Sequence, residues 1–247
     1  MIRTLLRGAA AGLLLIATGA RAASVGKPGE DVFWKATDYA RVAPSSIALL
    51  PAVSFDRTVE SEREVGVAWS ASFARGGYRW ISATTTRALL TSDAAGDSLL
   101  ARTRAALLKD GRVDSVTAPA LCARLRVQAL LSVRIDQWDK QAIEPEQSGK
   151  PWSRVYLRAT MVDSLGRILW TASGSETLEG PEHQPSGRAE IGAGGASPRS
   201  EVGGGTSPRS EFATGEGAPP PFHDVLTRIL TRWSAAFPQR PTAGATP

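Results

Sequence analysis

Cysteine is nearly absent. Cys122 is the single thiol among 247 residues, so no disulfide can form within the chain and any core must be held by burial. Its setting, APALCARL, is apolar at helical spacing, which assigns Cys122 to packing. Histidine is almost as scarce. His183 and His223 are the only imidazoles, and two histidines with one cysteine cannot supply the ligand spacing of a structural zinc site. Lysine is limited to Lys27, Lys35, Lys109, Lys140 and Lys150, and the basic residues, mostly arginine, form no cluster with interleaved aromatics. Nucleic acid is therefore not an expected partner. The glycines of Gly192 to Gly195 lack the Lys-Ser/Thr that completes a phosphate loop, and no cofactor-binding pattern stands elsewhere.

No apolar run reaches the ~20 residues of a membrane span. AAAGLLLIATGA, Ala9 to Ala20, is too short for one. It follows the basic Arg3 and Arg7 and precedes Ala20-Arg21-Ala22, which is the pattern of a cleaved export signal at 1–22. Removal of Arg3, Arg7 and Arg21 with no acidic residue lowers the net charge from +5 to +2. The exported chain is expected in the periplasm or associated with the envelope, and not itself spanning a membrane.

What is present reads as one α/β (α+β) domain. Residues 23–44 show no sustained period and are expected to form an irregular arm packed by Phe33 and Trp34. The domain itself is expected at 45–178 plus 222–238. SIALLPAV, Ser46 to Val53, suits a buried first strand, and Val65, Trp69 and Phe73 at four-residue spacing predict a helix over 60–74. After Gly76-Gly77 a strand is expected at Tyr78 to Ser82, then a short helical segment. A longer helix capped by Asp97 or Ser98 and closed by Gly111 follows, and another short one at Pro119 to Leu125.

Beyond residue 126 the period changes from 3.6 to 2. Val127, Ala129, Leu131, Val133 and Ile135 share one face, with Gln128, Ser132, Arg134 and Asp136 on the other, and Val155, Leu157, Ala159 and Met161 alternate with Arg154, Tyr156, Arg158 and Thr160. DSLGRILWT, Asp163 to Thr171, then has the turn residues of a hairpin corner, with Gly166 able to take positive φ. Ile168, Trp170 and Ala172 are expected on one side. A mixed sheet ending in an antiparallel meander, with helices packed on it, results. Residues 179–221 are mostly Gly, Pro, Ser, Glu, Ala and Arg and carry a near-repeat, GGASPRSE at Gly194 to Glu201 and GGTSPRSE at Gly204 to Glu211. That composition predicts a disordered insertion, with His183 solvated. Phe222, Val225, Leu226, Ile229, Leu230, Trp233 and Phe237 then mark an amphipathic helix that packs back on the sheet, with His223 exposed in its first turn. Residues 239–247 are expected to be a disordered tail.

The one block with a catalytic look is Gly96-Asp97-Ser98-Leu99, the nucleophile signature of a family of serine esterases. In that family an apolar strand precedes the block and an Asp-x-x-His follows near the carboxyl end. Here LLTSDAA precedes it, and Gly180 and Pro220 stand three before the two histidines. Helix capping is the reading carried forward, and no catalytic, cofactor-binding or metal-binding residue is assigned. The serine esterase remains the alternative, and a structural protein acting through its disordered loop is a second one.

The order of parts resembles a known family. The Ile47 to Pro51 strand, the Ala129 to Trp138 strand and the corner at Val162, Asp163, Gly166, Leu169 and Trp170 are similar to envelope lipoproteins related to the curli-secretion protein CsgG and to the amino-terminal domain of TolB. The resemblance covers Ser46 to Gly174 and the final helix. It implies a periplasmic α/β domain without an active site, used in assembly, secretion or binding of an envelope protein partner of unknown identity. The chain differs in having no cysteine to lipidate near the cleavage site and in carrying the 179–221 insertion. A barrel-forming hairpin needs ~9–11 alternating residues per strand, and the insertion offers only the isolated Ile191, Val202 and Phe212. Amino-terminal sequencing of the exported protein should read ASVGK, and recovery of intact Met1 in carbonate-resistant membranes would refute the cleavage.

Overall fold

In the computed structural model, residues 30–73, 77–184 and 217–241 are described. The expected signal at 1–22, the middle of the expected disordered insertion with its repeats (185–216) and the tail beyond 241 lie outside them. The ends of that insertion, 179–184 and 217–221, are instead ordered, with Glu179 in a strand and Gly180, His183 and Gly217 in backbone hydrogen bonds. The described chain is one α/β domain built on a seven-stranded mixed sheet. Its elements begin with β1 (Val32–Lys35), α1 (Tyr39–Val42), β2 (Ser46–Leu49), β3 (Val53–Ser54), α2 (Val59–Phe73) and β4 (Arg79–Ile81). Then come α3 (Ala83–Leu90), α4 (Ala94–Asp110), α5 (Thr117–Leu125), β5 (Ala129–Gln141), β6 (Trp152–Asp163), β7 (Ile168–Glu179) and α6 (Phe222–Ala236).

The strand order is β1-β7-β6-β5-β2-β4, with β3 pairing β5 beyond the end of β2. β2 runs parallel to both β4 and β5, whereas β5, β6, β7 and β1 form an antiparallel meander. Both faces of β2 are covered, which is why SIALL reads as a continuous apolar run. Ile47 and Leu49 join a core with Trp69 and Phe73 of α2 and with Ile229 and Trp233 of α6. Ala48 and Leu50 join a second core on the opposite face, with Leu107 of α4 and Leu121 and Cys122 of α5. The Cys122 thiol is buried there, and its pKa is pushed up to about 11 by desolvation and then by the Asp163 carboxylate.

Local signals place the helix ends. Ser82 accepts the Thr85 amide to start α3, and Gly111, at φ 69°, ends α4. The α4 cap is Asp93, which accepts the Gly96 amide, and not Asp97 or Ser98. Asp93 is held in that role by Arg124, whose guanidinium and the cap bond together keep its carboxyl below the usual range. The expected first strand is split. Pro51 has no amide to donate, and between the pairs Leu49↔Leu131 and Val53↔Arg134 this chain spends four residues against three.

Three further expectations are corrected. The arm at 23–44 is not irregular where it is described, because Val32–Lys35 pairs antiparallel with β7 and Tyr39–Val42 is helical. Phe33 and Trp34 do not pack it, being 40% and 48% exposed. Ile168 is not on the Trp170 side: β6 and β7 shift register at Met161/Val162, so Leu169 is inserted and joins the Trp170 core while Ile168 turns to the other. His183 is not solvated. It is 7% exposed, bridged by backbone to Gly149, with Nε2 3.2 Å from the Pro145 carbonyl oxygen.

β1 is fastened by Asp31. Its Oδ1 accepts Trp233 Nε1–H at 3.1 Å, and its Oδ2 pairs with Arg232, which also reaches Glu176 Oε2 at 2.7 Å. The carboxylate lies over Gly174, where a Cβ would meet Asp31 Oδ1 at 1.9 Å. At the other end of the arm, Tyr39 and Tyr78 hydroxyls are 2.7 Å apart and Tyr78 donates to the Pro238 carbonyl. Asp31→Ala should cost roughly 2–4 kcal/mol, because Trp233 and Arg232 lose their acceptor. Gly174→Ala should destabilise by evicting the same carboxylate. The two together should fall well short of additive in urea melts, and additive losses would show that Gly174 does not act through Asp31.

Candidate functional site

The topology creates a crevice at one place. β2 leads through α2 on one face of the sheet to β4, and β4 leads through α3, α4 and α5 on the other face to β5. Neighbouring parallel strands whose connections depart to opposite faces leave a gap outside their carboxyl ends, where ligands of open α/β sheets sit. Beyond the carboxyl end of β2 there is a cavity of about 230 Å³. Its apolar lining comes from Leu50, Pro51 and Val53 of the split strand and from Leu100, Ala101 and Leu107 of α4.

Charged groups stand on its wall. Arg104 of α4 binds Glu62 of α2 through Nη1 and Nη2, and Glu62 also accepts the Ser54 amide at 3.0 Å. The hydrogen bonds to Glu62 hold the Arg104 pKa above its ordinary value. Arg87 of α3 and Asp97 of α4 also line the cavity. Both are exposed, and neither forms an ion pair among the described residues.

The Gly96-Asp97-Ser98-Leu99 block takes its form from packing. Gly96 is buried where α4 crosses the end of α3, and a Cβ there would meet the Leu90 carbonyl oxygen at 2.0 Å. Leu99 enters the second core and Ser98 faces solvent. No histidine approaches Ser98 as a base: His183 is engaged with Pro145, and His223 is exposed in the first turn of α6. The requirement for a nucleophile, base and orienting acid in one place is unmet.

Other polar clusters have structural work. Asp136 lies between Arg134 and Arg158, and Arg134 donates to the Leu107 and Leu108 carbonyls, closing the carboxyl end of α4. Among the described residues no group of three or more His, Cys, Asp or Glu side chains could hold a metal ion, and no helix is long and apolar enough to cross a membrane.

A second surface feature is the outer edge of β1, which no other described strand pairs. Ala36 donates its amide to the Leu169 carbonyl, and hydrogen-bonded pairs alternate along an antiparallel ladder. Val32 and Trp34 therefore address β7, and the amides and carbonyls of Phe33 and Lys35 point outward. Val32, Phe33 and Trp34 are all exposed. Such an edge is a template for another strand.

No known family's sequence profile matches the chain, and no curated protein matches it. Solved structures show partial likeness. Lipoprotein GNA1162 from Neisseria meningitidis is 17% identical, covering 55% of this chain and 84% of that one, with a TM-score of 0.37. The PelC dodecamer of Paraburkholderia phytofirmans is 14% identical over 61% of this chain and 82% of that one, also at 0.37. The hypothetical protein CT253 of Chlamydia trachomatis is 12% identical over 55% and 71%, at 0.33.

Replacing the cap should separate the two readings of the block. Asp93→Ala should cost about 1 kcal/mol, whereas Ser98→Ala, inside the helix and exposed, should stay within about 0.5 kcal/mol. Neither protein should be labelled by a fluorophosphonate. Labelling of Ser98 would restore the esterase reading.

Proposed function

We propose that this chain is an exported, non-enzymatic domain that binds another protein of the cell envelope, and that the outer edge of β1 receives it. The observation that carries this reading is the exposed Val32-Phe33-Trp34 on a strand whose Phe33 and Lys35 backbone groups have no ladder to join among the described residues. Backbone pairing would give affinity, and side chains on the two faces would give selectivity. Phe33 lies opposite Ala172, on the face of Trp170 and α6, while Val32 and Trp34 lie opposite Ser173 and Thr171 on the other face.

The export-signal pattern at 1–22 supports an envelope address, and the unmet requirements around Ser98 support binding over catalysis. Domain limits of 45–178 plus 222–238 are extended in this proposal to include β1 and α1, because Asp31 and Tyr39 fasten them to α6, β4 and Pro238.

Phe33→Pro tests the edge. It removes the outward amide and leaves the inward bonds of Val32 and Trp34, so the fold should lose no more than about 1 kcal/mol, as proline is tolerated on edge strands. A photo-crosslinker at position 34 should trap an envelope protein in cells, and Phe33→Pro should abolish that adduct. An adduct that survives the proline, or none in the parent, would reject the edge as the docking surface.

A further inference from the structure

The cavity beside β2 is independent of the β1 edge, and we infer that it binds an apolar α-amino acid or a ligand with the same zwitterionic head. Three observations converge. The cavity lies beyond the carboxyl end of a parallel strand, on the side of the sheet covered by α3 and α4. Its volume of about 230 Å³ exceeds the ~150 Å³ that suffices for a benzene ring, so a benzyl or branched alkyl group fits among Leu50, Pro51, Val53, Leu100 and Leu107. Its wall also presents one cation and one anion that form no ion pair among the described residues, Arg87 and Asp97.

The charges select the head group. A simple fatty carboxylate would satisfy Arg87 and set a like charge near Asp97. An apolar amine would do the reverse against Arg87 and Arg104. A head carrying both signs complements both, with the carboxylate on the Arg87 guanidinium and the ammonium on the Asp97 carboxylate. Arg104 reinforces the anion side. Its two bonds to Glu62 leave part of its five-donor fork free, and the Glu62 contacts to Ser54 and Arg104 hold α2, α4 and the split strand together at the cavity wall.

L-Phenylalanine is the probe, titrated into the full chain by calorimetry and followed by the shift in melting temperature. Binding with a dissociation constant at or below about 1 mM is expected. 3-Phenylpropanoate, which lacks the ammonium, and phenylalaninamide, which lacks the carboxylate, should each bind at least about tenfold more weakly. Arg87→Ala and Asp97→Asn alter exposed side chains outside both cores, and each should weaken phenylalanine by a similar factor while the unliganded protein melts as before. No binding at about 10 mM, or equal binding of 3-phenylpropanoate, overturns the inference. So does phenylalanine binding that neither substitution changes, since the ligand would then be elsewhere.

Discussion

The carboxylate of Asp31 is the point on which the arrangement of this protein turns. It is nearly inaccessible, with 7% of the side chain exposed, and it is neutralised by Arg232 and held by the indole N–H of Trp233. Gly174 makes room for it by having no side chain. One acidic residue thus joins the first strand of the sheet, the last long strand and the last helix, which are separated by most of the chain. A buried charge of this kind contributes little net stability beyond what an apolar pair would give, but it tolerates few alternatives. It fixes where β1 lies, and with it which backbone groups of Phe33 and Lys35 are turned outward.

The two cores divide the labour. The α2 and α6 side is aromatic, with Trp69, Phe73, Trp170, Trp233 and Phe237 in mutual ring contact, and it closes over the meander. The α3, α4 and α5 side is aliphatic and covers β2 with parts of β5 and β6. Because α4 spans the end of β2 where Pro51 interrupts pairing, the second core is left open at that corner. The cavity follows from the same interruption that splits the strand.

Much of this architecture was legible in the residues. Val65, Trp69 and Phe73 name the buried face of α2, and the alternation in 131–135 and 155–161 names the meander. Gly166 marked its corner, and the face of α6 was read residue by residue. The errors have physical causes. VFWK shows no alternation because an edge strand with both sides solvated imposes none, so β1 could not be recognised locally. Asp97 and Ser98 offer the same capping chemistry as Asp93 a turn later, and only the approach of Gly96 to Leu90 settles the register. Ile168 reads as lying on the Trp170 side because a bulge adds a residue, Leu169, without a compositional mark. The cavity was invisible for a different reason: Pro51, Arg87, Asp97 and Leu107 share no motif and meet only through the crossovers.

The ends of the 185–216 segment leave the domain from a common pedestal. Gly180 donates its amide to Pro151, His183 is paired with Gly149, and the Gly217 carbonyl accepts the amide of Ile143, so both stems rest on the turn between β5 and β6. With the stems pinned there, the span to be closed is independent of how much chain lies between them. Doubling the length of a flexible loop closed across fixed ends costs only about 0.6 kcal/mol in closure entropy. Chain added or removed between the two stems therefore leaves the anchoring contacts of the sheet, the helices and the Asp31 clasp as they are.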